Sequence, residues 1–293
     1  MTTGTVRSLG PDDTAEALRL VRPRPLHNLF LDYAISAGAL GRVPGFFGYF
    51  AGARMEGILL IGPMGGTVLE VRNADAHAPL AVAAAMAPLR PRHLVGAVDV
   101  MEPFWAAYRP YASPLRWDRR EPVYVLDRAG FGRSGRRPDE VRIEPARESD
   151  LDEIVENSAA QHIEDLEDDR RAADRAGFVA RHRRDIRERR WWVVREGGRI
   201  AFQMHVGAEN EHVIQIGGVM TPHDLRHRGH ARRGLSAMLD KLLEYRPTVT
   251  LFCDEGNLPA RRLYEQLGFE VLYWNHSWLL EEPVSPRSEE THA

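Results

Sequence analysis

Disulfide chemistry is the first thing this chain lacks the means for, since its only cysteine is Cys253. One thiol cannot close an intrachain bridge, and it leaves too few thiolates for a cysteine-based metal site. Long apolar runs are missing as well. No stretch approaches the ~20 apolar residues of a bilayer-spanning helix, and the opening MTTGTVRSLGPDD has no signal-peptide core, so a cytoplasmic protein with no membrane partner is expected. Nor does one sign of charge dominate: 28 % of residues are charged, yet the net charge is −3. That balance gives no global pull toward nucleic acid or an anionic surface, although arginines at 181–190 and 226–233 can hold phosphates locally. Acidic neighbours offset the first cluster and no basic aromatic platform accompanies it, so nucleic acid is not an expected partner. What is present is ample core material. With 43 % hydrophobic residues among 293, the chain can build two ordinary domains or one large one.

Periodicity and turn residues give the order of elements. After a loose leader over 1–12, helices are predicted at Ala15–Leu20 and Leu26–Ala37. Strands follow at Phe47–Ala51, Gly57–Ile61 and Gly66–Val71, joined by short turns that favour antiparallel pairing. A helix at His77–Ala87, a strand at His93–Val98, a helix at Met101–Tyr108 and a strand at Pro122–Leu126 complete the first half. The composition then turns to glycine, arginine, proline and serine over 129–140, an interdomain linker. The second half is read as a strand at Val141–Glu144, a helix from Leu151, and a charged helix pair over 161–190 broken near Gly177. Strands at Trp191–Arg195, Arg199–Val206 and His212–Met220 come next. Beyond a further helix lie a strand at Thr248–Cys253, a helix at Pro259–Leu267 and a strand at Val271–Leu280, then a disordered tail over 283–293. Both halves show three strands, helix, strand, helix, strand. Two tandem α/β domains of one fold are expected, over 1–128 and 141–282.

The chemistry concentrates at 212–243. An apolar strand (Val213, Ile214, Ile216, Val219) breaks at Pro222 and restarts, past Arg226-His227-Arg228-Gly229, as a helix with Ala231, Leu235, Met238, Leu239 and Leu242 on one side. The first N–H groups of such a helix have no intrahelical partner and its dipole favours negative charge, so the junction is an anion cradle suited to a diphosphate. The corresponding junction of the first half, Val71 to Ala76, is acidic and has no glycine. Geometry alone leaves the ligand open.

The spacing R-x-x-G-x-A, carried by Arg226, Gly229 and Ala231 within the run Thr221 to Ala231, resembles the acetyl-CoA signature of the GCN5-related N-acetyltransferases (GNAT). A second motif at the expected distance, Asn257 to Phe269, resembles that family's N-x-x-A/S-x-x-x-Y-x-x-x-G-F. The resemblance implies an acyl-CoA N-acyltransferase fold, a mixed central sheet flanked by helices, in tandem, with acetyl-CoA held by the second domain. It implies that Val219, Met220 and Thr221 pair with the pantetheine arm and that Arg226, His227, Arg228, Gly229, His230 and Ala231 receive the pyrophosphate. Histidines 227 and 230 replace the glycine and tyrosine common in this branch, but they keep the backbone donors. Asn257 would touch the cofactor or cap its helix, Arg261 would lie beside the cofactor, and Tyr264 would protonate the departing thiolate. Tyr264 also reads as an ordinary half-buried core aromatic.

Direct attack by an amine on the thioester needs a base as well as an acid. Where some members carry a glutamate on the fourth strand, this chain offers Gln215, able to orient a water but not to take a proton. Glu164, Glu167, Asp168, His205 and Glu211 are the other candidates, each equally readable as a salt-bridge or surface residue. Histidines 205 and 212 find no third ligand, so no metal is expected. Of Trp191 and Trp192, one is expected in the core and the other at the acceptor pocket. The acceptor is a small-molecule or peptide amine. The first domain would be structural, shape the substrate or support a homodimer. Two other readings stand beside this one: a non-catalytic acyl-CoA sensor, and an interaction protein with a vestigial site.

Overall fold

A computed structural model describes residues 4–133, 141–167 and 169–281. The chain divides into two compact units, one formed by the residues up to Glu121 together with those from Trp274 onward, the other by Pro122–Tyr273. The stretches read as a disordered tail and as the end of the linker fall outside the described residues. The start of the predicted linker is helical.

In chain order the first unit contributes β1 (Thr5–Ser8), α1 (Thr14–Val21), α2 (Leu29–Ser36), β2 (Phe46–Ala51), β3 (Arg54–Ile61), β4 (Gly66–Val71), α3 (His77–Met86), β5 (His93–Ala97), α4 (Val98–Tyr108) and the opening part of β6 (Leu115–Asp127). The second contributes the rest of β6, then α5 (Arg128–Arg133), β7 (Ile143–Pro145), α6 (Leu151–Leu166), α7 (Arg170–Ala173), α8 (Arg175–Arg187), β8 (Trp191–Glu196), β9 (Arg199–Glu209), β10 (Val213–Met220), α9 (His230–Tyr245), β11 (Thr248–Phe252), α10 (Leu258–Gln266) and the start of β12 (Glu270–Leu280).

Within the first unit the strand order is β1-β2-β3-β4-β5, then the end of β12. All pairs are antiparallel except β4 with β5. The C-terminal segment is a full member of this core: Trp278 is buried, stacks on Trp105 at 5.1 Å, and donates its indole N–H to Asp118 at 2.9 Å. Within the second unit the order is β7-β8-β9-β10-β11, then the end of β6, with only β10 and β11 parallel. The strands of each unit are covered on both faces. In the second unit, α6 and α8 cover one face through Ile154, Phe178 and Ile186, while α9 and α10 cover the other through Leu235, Met238, Leu239 and Tyr264. This is the mixed, helix-flanked sheet that the family resemblance implies.

Three local expectations need correction. The leader is not loose, because Thr5–Ser8 pairs with β2 in the register Val6↔Tyr49. Its mostly exposed side chains give no apolar alternation to read. Strand β6 begins at Leu115, earlier than expected; within Arg116–Arg120 only Trp117 is buried, and the charged residues on either side of it interrupt any apolar run. The break in the charged segment falls before Gly177, which lies inside α8. The capping carboxylates decide this: Asp169 accepts from Arg171 N at 3.1 Å and Asp174 from Gly177 N at 2.9 Å, each starting a new helix.

Helix α9 contains an instructive glycine. Gly234 is buried in mid-helix, where alanine would ordinarily gain about 1 kcal/mol. A Cβ at this position would lie 2.4 Å from Cδ1 of Phe202 in β9. We therefore expect Gly234→Ala to destabilise the second unit by about 1–3 kcal/mol through overpacking, read as a lower denaturant midpoint.

Candidate active site

The site is built where two parallel strands part. β10 pairs with β11 only from Val213↔Thr248 to Gln215↔Thr250. Beyond that point β10 stays bonded to β9, but with register shifts between Ile214 and Ile216 and again between Gly217 and Met220. Such bulges bend a strand out of line. Gly218 makes the second one feasible, with φ at +56° and Trp191 so close that a Cβ would lie 2.9 Å from its ring. Among the described residues, the segment Ile216–Met220 therefore has no strand partner on its β11 side, which leaves backbone groups of that edge open to an extended ligand.

Thr221 follows the strand directly, and its hydroxyl is buried and, among the described residues, has no hydrogen-bond partner. A short turn over His223–Leu225 leads to His227 and Gly229, both left-handed (φ +62° and +79°), and then to α9. The first bond of this helix is Arg233 N to Gly229 O at 3.0 Å. Among the described residues, the N–H groups of His227, Arg228, Gly229, His230 and Ala231 have no acceptor. Consecutive unpaired donors at the positive end of a helix form an anion site. The matching junction of the first unit is closed on itself: Arg72 N and Asn73 N donate to Glu56 O, Asp75 N to the Asn73 side chain, and Ala76 N to Asn73 O.

The cradle's side chains are arranged differently from the expectation. Arg226 reaches across to α6 and grips Glu164 in a two-pronged pair, 2.8 and 2.6 Å, while its Nε donates to Thr221 O at 3.2 Å. The guanidinium holds the Glu164 carboxyl below the usual carboxylate range. Arg228 bonds Asp224 O at 3.2 Å. His230 is buried, its Nδ1 lying 3.3 Å from Arg233 Nη2 and its Nε2 3.5 Å from Glu196 without a well-formed hydrogen bond.

Helix α10 brings up the other wall. Asn257 caps it, accepting from Ala260 N at 3.2 Å. Arg261 is committed to Glu255 O at 3.0 Å and to the Tyr124 hydroxyl at 3.1 Å. Tyr264 is buried against Tyr124 and Phe269, ring centroids 5.7 and 5.9 Å away. Burial pushes its phenol far above the ordinary value, and the neighbouring Cys253, Asp165 and Tyr124 push the same way.

Gln215 and the candidate bases scatter. Gln215 lies before the strands part, its Oε1 against Gly207. His205 points to Asp185 of α8, Nε2 to Oδ2 3.5 Å, an ion-pair distance too long for a good hydrogen bond. Glu167 ends α6 in an exposed left-handed cap, Glu211 is exposed, and Asp168 lies outside the described residues. Trp191 is the buried member of its pair, Trp192 the half-buried one. Sequence reasoning passed over a stripe on α6. Asn157 donates to Gln203 at 3.0 Å and Gln161 to Val219 O at 3.4 Å, with Asp165 one turn further on. Polar residues at i, i+4 and i+8 were the available signal.

The parted parallel strands, the cradle and the capped α10 define the GNAT acyltransferase fold, here in a tandem arrangement. An FR47-like protein family matches residues 202–279. A GNAT acetyltransferase from Colwellia psychrerythraea superimposes with a TM-score of 0.60 at 9 % identity, covering 94 % of this chain and 100 % of its own. A tandem GNAT protein from the clavulanic acid biosynthesis pathway gives 0.61 at 17 %, covering 97 % and 100 %. A Drosophila protein gives 0.67 at 12 %, covering 95 % and 99 %. At these identities the likeness is one of fold. No curated protein matches the chain. Among the described residues, no helix is long and apolar enough to cross a membrane.

Proposed function

We propose that the Pro122–Tyr273 unit transfers an acetyl group from acetyl-CoA to an amine, small or peptide-borne, by direct attack. The carrying observation is the row of unpaired N–H groups from His227 to Ala231, placed at the end of a strand whose edge is open. These donors would hold the diphosphate, the open edge at Val219 and Met220 the pantetheine amides, and the orphaned Thr221 hydroxyl a further polar group of the arm. When bound, acetyl-CoA supplies the activated acyl carbon. Tyr264, kept protonated by burial, would deliver a proton to sulfur, and Asn257 fixes Tyr264 by starting its helix. The first unit, whose junction uses its own donors, would serve as a scaffold without cofactor.

Calorimetry with acetyl-CoA, followed by turnover against a panel of amines, tests this. Binding with transfer supports it. Binding without transfer to any amine turns the reading toward an acyl-CoA sensor, and no binding removes it.

The Arg226–Glu164 pair adds a prediction. Glu164 is more than half exposed, so losing the pair should cost no more than about 1 kcal/mol of stability. Glu164→Gln releases the guanidinium next to the cradle, and acetyl-CoA affinity is expected to rise roughly two- to tenfold, as one charge-assisted contact becomes available. Unchanged affinity in calorimetry would mean that Arg226 does not serve the diphosphate.

A further inference from the structure

We infer that Asp165, one turn beyond Gln161 on the strand-facing side of α6, accepts the proton of an incoming alkylammonium group at the open edge of β10. The inference rests on the acetyl-transfer reading above and adds to it a base and a charge class of acceptor.

Register places Asp165 there. Helix α6 lays Asn157 against Gln203 of β9 at 3.0 Å, and four residues on it lays Gln161 against Val219 of β10 at 3.4 Å. Four residues advance a helix by about 6 Å, close to the ~4.8 Å step from one strand to the next. The next residue of the series is Asp165, and the next strand would be β11. At this level β11 has already parted from β10, so Asp165 is carried over the gap where the thioester end of an extended ligand would lie. The Asp165 carboxylate acts electrostatically on both the buried Tyr264 hydroxyl and the Arg226 guanidinium.

A partly buried carboxylate attracts an ammonium ion and then serves as its base. The nitrogen arrives as an alkylammonium and gives its first proton to Asp165. Its lone pair forms the bond to the acyl carbon as the carbon–sulfur bond breaks. Tyr264 protonates the sulfur and regains its proton from the nitrogen as the amide forms. Asp165 passes the first proton to water, so each turnover releases the thiol, the amide and one proton.

The test uses Asp165→Asn, close to isosteric, in the full chain, with Asp165→Glu as a second variant and thermal melts to check folding. Acetyl-CoA binding by calorimetry is expected to stay within about threefold of wild type. Binding of benzylamine, tyramine or spermidine to the CoA-loaded protein should weaken at least tenfold in the asparagine variant. Transfer to these amines should fall on the order of 100-fold, whereas transfer to hydroxylamine, uncharged at neutral pH, should fall far less. Asp165→Glu should restore part of the amine activity. An asparagine variant that binds and acetylates the cationic amines like wild type overturns the inference while leaving the acetyl-transfer reading intact. An equal loss with hydroxylamine and with the amines also overturns it. Wild-type protein that neither binds acetyl-CoA nor uses any amine overturns both.

Discussion

Replacing Gly229 with valine is expected to lower acetyl-CoA affinity about 100-fold, equivalent to about 2.7 kcal/mol. Gly229 holds φ at +79° immediately before α9, and with the left-handed His227 it turns successive N–H groups toward one point. A β-branched residue pays roughly 1–2 kcal/mol to stay in this conformation. If the backbone instead relaxes, the Gly229 and His230 donors rotate away, and hydrogen bonds to a charged ligand contribute about 1.5–3 kcal/mol each. Either route costs binding. Direct crowding is a smaller matter, since the atom nearest to an added Cβ is the flexible Arg233 Nη1 at 2.9 Å. Gly229→Asn separates the two causes, because asparagine tolerates the left-handed region, and it should retain most of the affinity. Calorimetry on both variants, with melting curves to exclude unfolding, checks the expectation. Wild-type affinity in the valine variant would show that the ligand does not rest on this cradle.

Much of that cradle could be read from sequence, because its signal is local. A strand, a glycine and a helix in succession fix where unpaired N–H groups collect, whatever the rest of the chain does. The helix beginning at Asn257 was legible for the same reason, and the cap is formed by the residue expected. Side-chain destinations were not legible, because they depend on elements far away in the chain. Arg226 reads as a phosphate ligand until α6 places Glu164 beside it. Gln215 reads as a site residue until the register shows that the strands part only after it. Asp165 lay hidden in a run of charges that looked like solvated surface. Only the crossing of α6 over β9 and β10 picks it out from Glu164 and Glu167. The strand supply of the two units was equally opaque. Sequence order assigns Pro122–Asp127 to the first half, yet these residues pair with β11 from Thr248↔Asp127 to Phe252↔Val123. Trp278, near the other end of the chain, packs with Phe104 and Leu94 in the first unit. Apolar periodicity identifies a strand but carries no information about which sheet receives it.

Tyr264→Phe is expected to reduce kcat about 100-fold while leaving acetyl-CoA affinity within twofold. The ring is buried between Tyr124 and Phe269, so phenylalanine keeps the packing and removes only the hydroxyl. Equal falls in kcat and kcat/KM would mark a contribution made when the sulfur departs rather than in binding. The raised phenol pKa also sets a sign for stability. In the native state Tyr264 holds its proton well beyond the pH at which an unfolded tyrosine, near 10, gives it up. Below that pH both states are protonated and the full stability is present. As pH rises above it, the unfolded chain releases a proton that the native chain retains, and stability is lost. Denaturant melts between pH 9 and pH 11 should therefore show a steeper decline for the wild type than for Tyr264→Phe. The same property bears on catalysis. A phenol that does not ionise in the working range stays available as an acid on the alkaline side, so Tyr264 should add no alkaline limb of its own to the pH profile. If the phenylalanine variant turns over at the wild-type rate, the thiolate leaves without this proton, and Tyr264 belongs to the core alone.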